Sequence, residues 1–442
     1  MRFGPRAHES TSLLANGEDR GLPCRPVRQW RGRRKIDTFT IPKIARLMIE
    51  RARHVPLRPV PWDPSDIATA IEEIVLDALG HFDNEGFWPA HPLDELRRGG
   101  NSSVYLGASG VIWALDYLWR AGATKSHRDF RPVLSQLLER TGLEMQSFGD
   151  YAKHGSLLCG DLGTALVIMR LAPDTSLAIA DIVHARVAAN MELPVRELMW
   201  GLPGSMLACI HMAEMADAAR WRGTFEAQAK RLLDDLQDTT GSPIWTQDLY
   251  GAQRQYLGPV HGFAGNMIPL IRGWHWLTEV QRARVADVAQ RTIGAHAHLS
   301  DLGISWRAAV DGRNLYCQHC HGAPGMVTTF ADAPFTSPEF EELLIGGGKL
   351  TWEAGPLAKG SNLCHGTGGN GYAFLKLHRR TSDPVWLERA QAFAATAVAQ
   401  CRETRDQLGR GRYSLWTGDI GLAVYLWHCL TLAPAFPTVD VF

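Results

Sequence analysis

The 442-residue sequence has no apolar run approaching the roughly 18 residues that span a bilayer. No apolar stretch near Met1 could serve as a secretory signal. Arg33-Arg34 leads into Lys35-Ile36-Asp37-Thr38, not the apolar segment a twin-arginine signal needs. Net charge is absent too: 46 Lys and Arg offset 46 Asp and Glu, which gives no reason to expect nucleic acid or a membrane surface as partner. Eight cysteines in a chain of this size, without an export signal, point to reduced thiols and a cytoplasmic location. No pair of facing carboxylates stands out in the turns, as glycoside hydrolysis would require.

The charge that is present is uneven. Residues 1–60 hold 14 Lys and Arg against 5 Asp and Glu. Glu9, Glu18 and Asp19 argue against a transit peptide, which is poor in acids. We read 1–60 as a basic, partly disordered segment with one helix, predicted over 36–58 from Ile41, Ile44, Ala45, Met48 and Ile49. Residues 61–442 are read as a single domain.

Within that domain glycines recur in pairs three apart: Gly107/Gly110, Gly160/Gly163, Gly201/Gly204, Gly262/Gly265, Gly322/Gly325, Gly366/Gly369 and Gly418/Gly421. Most run straight into apolar segments, which predict helices over 111–119, 164–171, 205–215, 266–276, 326–331, 372–378 and 422–432. These segments are apolar nearly all round, so they belong inside the molecule. Amphipathic helices are predicted between and before them, over 66–79, 132–141, 177–189, 224–236, 280–299, 337–344 and 384–403. Successive pairs lie 53, 41, 61, 60, 44 and 52 residues apart, too ragged for a short solenoid repeat. A ring of buried helices inside a ring of amphipathic ones fits, with the glycine turns gathered at one end, close to neighbouring backbone and free to take positive φ. The fold class is therefore all-α, a double-ring (α/α)7 toroid; an α-solenoid leaves the recurring ligand-type residues in the turns unexplained.

Two of the seven turns carry Cys-His: Cys320-His321-Gly322-Ala323-Pro324-Gly325 and Cys364-His365-Gly366-Thr367-Gly368-Gly369. Thiolate and imidazole ligands suit zinc, and three protein ligands leave one position open for a substrate. Other readings compete. The cysteines could be small buried hydrophobes. Cys317-Gln318-His319-Cys320-His321 also matches the c-type haem pattern, which needs export and leaves Cys364-His365 unexplained, and Cys317/Cys320 could be a redox pair.

Taken together, Cys159-Gly160-Asp161, His261-Gly262-Phe263-Ala264-Gly265, Cys320-His321-Gly322-Ala323-Pro324-Gly325 and Cys364-His365-Gly366 resemble the lanthionine synthetase C-like (LanC-like) family, from about Gly107 to the C-terminus. The resemblance implies seven inner and seven outer helices, and one zinc ion on Cys320, Cys364 and His365. It implies addition of a thiol to a dehydroalanine or dehydrobutyrine residue. His321 after the first zinc cysteine, and Lys359-Gly360 before the second, resemble the stand-alone members, in which that lysine meets glutathione. Glutathione is thus the expected thiol, and a protein or peptide bearing a dehydroamino acid the expected partner. His261 resembles the family's acid/base histidine, with His321 the second candidate for proton transfer; Glu197 matches an acidic position and would orient a histidine or bind substrate. Each has a plain alternative: a turn histidine, a surface lysine, a capping glutamate. Asp161 and Asp419 are read as structural residues holding turn amides. Where the cyclases of the family carry an arginine, this chain has Tyr316. A lanthipeptide cyclase and a non-catalytic zinc- and glutathione-binding module remain the other functional readings, and a monomer is expected.

Overall fold

The structure is a computed structural model that describes residues 50–93, 101–238 and 241–442. Among the described residues, fourteen α-helices alternate between two kinds. The outer ones are α1 (Pro64–Gly80), α3 (Leu134–Gln146), α5 (Ser176–Glu192), α7 (Ala218–Asp234), α9 (Glu279–Ala295), α11 (Pro338–Ala354) and α13 (Pro384–Leu408). The inner ones are α2 (Ala108–Arg120), α4 (Asp161–Leu171), α6 (Leu202–Met215), α8 (Phe263–Arg272), α10 (Ala323–Phe330), α12 (Thr367–Thr381) and α14 (Asp419–Thr431). Each inner helix touches the next, and α14 touches α2, so the ring closes. Helix α1 lies against α14 and completes the outer layer at that seam. None of the described helices is long and apolar enough to cross a membrane.

The glycine pairs explain themselves sterically. A Cβ on the second glycine of every pair would fall between 1.7 and 2.5 Å from the carbonyl oxygen six residues earlier, as at Gly369 against Leu363 and Gly265 against Pro259. Close approach, not positive φ, is what the turns require. Six of the seven first glycines sit at φ between −139° and −117°, which any residue adopts. Gly322 alone among them, at φ 112°, uses glycine's freedom.

The outer helices end with a recurring device. Trp88, Trp245 and Trp306, in the loops that follow α1, α7 and α9, donate their indole N–H to the carbonyls of Ala78, Leu232 and Ile293 at 2.7–2.8 Å. Each indole satisfies a carbonyl near the helix end that lacks an intrahelical partner, and fills the inter-ring space.

Several boundaries differ from the sequence reading. Helix α11 continues ten residues past the expected end at Leu344, through Gly346-Gly347-Gly348, because side chains there would strike Ile304, Val327 and Leu377. The helix expected over 280–299 stops at Ala295, and His298–Ser300 pairs antiparallel with Gly303–Ser305. Two more hairpins went unseen: Gln247–Leu249 with Ala252–Arg254, and Cys317–Gln318 with His321–Gly322. The helix expected over 36–58 falls mostly outside the described residues. Its described end is a single 3-10 turn, Arg51–Arg53, followed by extended chain. That segment is fastened to the loop after α11: Val55 N–H to Pro356 O, and Ala358 N–H to Arg53 O, both 2.9 Å.

The last ten residues re-enter the ring. Phe436, Thr438, Val439 and Phe442 are buried there. Trp416 donates to Thr438 Oγ1 at 3.2 Å and Arg272 to the Asp440 carbonyl at 2.7 Å.

Candidate active site

The turns at the N-terminal end of the inner ring are tied by backbone hydrogen bonds. Tyr105 N donates to Leu158 O, Trp416 N to Tyr105 O, Cys364 N to Trp416 O, and Cys320 N to Cys364 O, at 2.8–3.2 Å. The two Cys-His turns, 44 residues apart between Cys320 and Cys364, are thus neighbours. Ligand atoms of Cys320, Cys364 and His365 lie within 4.8 Å of one another, the one such Cys/His/carboxylate cluster among the described residues. The His365 backbone N–H is held by Asn362 Oδ1 at 3.0 Å. Its Nδ1 is buried without a partner, a cost in the absence of a ligand. Two soft sulfurs and an unsatisfied imidazole nitrogen fit a zinc ion.

The thiols are strongly perturbed. A hydrogen bond from Cys320 pushes the Cys364 thiol well below its ordinary value, with His365 and Tyr105 adding to the effect. The same bond, and burial, push Cys320 up. Each sulfur also has a side-chain donor that sequence reasoning missed. Tyr105 Oη donates to Cys364 Sγ at 2.7 Å, and Gln318 Nε2 to Cys320 Sγ at 3.1 Å. Burial, then the neighbouring Cys364, raises the Tyr105 phenol well above its ordinary value, so it stays a donor. Cys317 stands apart from the cluster, across the hairpin from Gly322, its thiol pushed up to about 12 by burial.

His261 occupies the neighbouring turn. Its Nδ1 lies 2.8 Å from Glu197 Oε2. Glu197 is fully buried, and its carboxylate also accepts the backbone N–H groups of Met199 (3.1 Å) and Trp200. A carboxylate so held fixes Nδ1 as the protonated nitrogen and leaves Nε2 for chemistry. The loop before His261 presses on the first Cys turn: a Cβ on Gly258 would lie 2.2 Å from Cys320 O and 3.1 Å from His321 Nδ1. His321 is buried with Nδ1 unpartnered; burial first, then the charge of His261, pushes it down to about 4. Tyr250, at the tip of the 247–254 hairpin, meets His261 edge-on at 6.1 Å and accepts a 2.9 Å bond from the Trp200 indole.

Lys359 lies exposed at the rim, its charge reaching Cys320 and favouring the thiolate. Asp161 is held by Arg186 at 2.6 Å rather than by turn amides; Asp419 accepts Arg412 N–H at 3.0 Å, as expected of it. At the position of the family arginine, Tyr316 carries the Arg53 guanidinium over its ring, 4.4 Å from the centroid.

Comparison with known proteins agrees with this architecture. The profile of the family described as "Lanthionine synthetase C-like protein" matches residues 100–441. Zebrafish glutathione S-transferase LANCL1 is 27% identical over 332 residues, 65% of this chain and 74% of the relative. LanC-like protein GCL1 of Arabidopsis thaliana is 39% identical over 124 residues, 27% of this chain and 28% of the relative. The solved structure of nisin cyclase superposes with a TM-score of 0.55 at 14% identity, covering 84% of this chain and 99% of that one, which speaks to the fold alone.

Proposed function

Because the chain belongs to the lanthionine synthetase C-like family, we propose that it adds the thiol of glutathione to dehydroalanine or dehydrobutyrine residues of proteins or peptides, with one zinc ion. The observation that carries this reading is the convergence of Cys320, Cys364 and His365 within 4.8 Å, beside a His261–Glu197 pair in the adjoining turn. The zebrafish relative's glutathione S-transferase name supports the choice of thiol.

Zinc held by Cys320, Cys364 and His365 would supply the positive charge that favours the thiolate form of a bound thiol. The chain's own residues do the rest. Lys359, at the rim, pairs with a carboxylate of glutathione as a point charge. The thiolate sulfur bonds to the β-carbon of the dehydroamino acid, and the π pair moves toward the α-carbon and its carbonyl. His261, its Nδ1 held by Glu197, accepts at Nε2 the proton that the thiol gives up and then delivers it to the α-carbon, returning to its neutral form. His321, kept neutral by burial and close enough to feel the charges of both His261 and Cys364, offers a second hydrogen-bonding group. Substrates of this kind arise when phosphate is eliminated from modified Ser or Thr residues.

Incubating the protein with glutathione and a dehydroalanine peptide, followed by mass spectrometry, tests the reading. An adduct formed faster than without protein, and lost in His261→Ala, is expected. An adduct at the uncatalysed rate would leave a binding module instead, and ring formation within a cysteine-bearing peptide would favour a cyclase.

A further inference from the structure

The metal cluster is not built from the ring alone. Arg53, in the segment before α1, reaches it through one intermediary. Its Nη2 donates to Gln318 Oε1 at 2.8 Å, and Gln318 Nε2 donates to Cys320 Sγ at 3.1 Å. The order of these bonds is forced. The guanidinium has only donors, so it takes the amide oxygen and turns the amide nitrogen toward the sulfur. Gln318 is buried and sits in the hairpin that ends at the Cys320 turn. Arg53 is held in place on three sides. Its ring contact is Tyr316; its carbonyl accepts from Ala358; and the next residue, His54, places Nδ1 3.0 Å from Gly355 O. The segment therefore joins the hairpin of the first Cys turn to the loop that leads into the second.

We propose that Arg53 is a positioning residue of this centre, orienting Gln318 so that Cys320, like Cys364 beneath Tyr105, holds its metal through a hydrogen-bonded sulfur. The proposal rests on the zinc reading above and goes beyond it, because it assigns work to a residue outside the ring. Hydrogen bonds to a metal-bound thiolate draw charge from the sulfur. With both thiolates so drawn upon, the metal retains more of its positive charge, and a thiol brought to the open position loses its proton at lower pH.

The test uses the full chain loaded with Co²⁺, whose thiolate-to-metal charge-transfer absorption reports the charge on sulfur. Wild type is read first: uptake of about one cobalt per chain, with thiolate bands, is the result the zinc reading requires. No uptake would overturn that reading and the proposal with it. Given uptake, Gln318→Met and Tyr105→Phe are expected to move the band to longer wavelength. Arg53→Ala should move it the same way by less, and should add nothing when combined with Gln318→Met. Arg53 is a quarter exposed, so its variant keeps the test independent of folding, checked by an unchanged melting temperature. An unmoved band in Arg53→Ala, or a further shift in the double variant, overturns the proposal while leaving the zinc reading intact.

Discussion

The two ends of the inner ring differ in the buried groups they bring together. At the end where the helices begin, Nδ1 of His319, His321 and His365 is buried without a partner, and two thiols crowd together. Toward the other end, Lys376 is as deeply buried, yet it is clamped between the carboxylates of Asp332 and Asp440, and Asp332 also takes Arg379. Helix polarity suits both. The N-termini favour thiolates and anionic substrates, and the C-termini favour the cations Arg120, Arg170, Arg272 and Arg379 that gather there. The difference teaches where to look for ligands: one end gathers charges that answer each other, and the other gathers soft sulfurs and open imidazole nitrogens of the kind a metal would satisfy.

That contrast can be broken from either side. Cys364→Ala should abolish metal uptake, from about one ion per chain to none, and adduct formation with it, while the protein stays folded; metal analysis and circular dichroism check this. His261→Ala should keep the metal and lower the rate of adduct formation about 10²–10⁴-fold, measured as kcat/KM. At the opposite end, Lys376→Met should leave metal content intact yet cost up to about 3–5 kcal/mol in urea unfolding, since it removes the buried cation between Asp332 and Asp440 and leaves them only Arg379 and Arg272.

A histidine near each end sharpens the comparison through pH. Burial pushes His154 and His428 down to about 4. Both are therefore neutral when folded but charged when unfolded below about 6.5. Their contribution to stability is full above that pH and falls as pH drops toward 4, by about 1.4 kcal/mol per pH unit for each. His428→Gln should flatten the wild-type profile by one histidine's share, read as unfolding free energy against pH. The smallest effect is expected at the exposed rim: Lys359→Ala should raise KM for glutathione several-fold with little change in kcat.

How much of this was legible in the sequence follows from the range of each interaction. The glycine pairs were readable because the second glycine of each answers a carbonyl six residues away. The ring followed from them, as did the two Cys-His turns. The triplet Gly346-Gly347-Gly348 misled, because its reason lies in Ile304, Val327 and Leu377, which no local pattern reveals. Tyr105 and Arg53 were invisible for the same cause: their partners Cys364 and Gln318 are 259 and 265 residues distant. Tyr316 in place of the family arginine marked a departure near Arg53 without pointing to it, and nothing marked Tyr105.

The seam between α14 and α2 has a kinetic consequence. Every other inner pair joins consecutive repeats, but this one closes a loop of about three hundred residues, which makes it among the costlier contacts of the fold to form. One bond of the site lies across that closure: Tyr105 on one side donates to Cys364 on the other, and the Trp416 backbone bonds to both. A chain whose ring is still open holds Cys320, Cys364 and His365 on consecutive repeats but lacks the Tyr105 donor. The environment of the Cys364 sulfur during refolding should therefore change in two steps, the later one reporting the moment of closure.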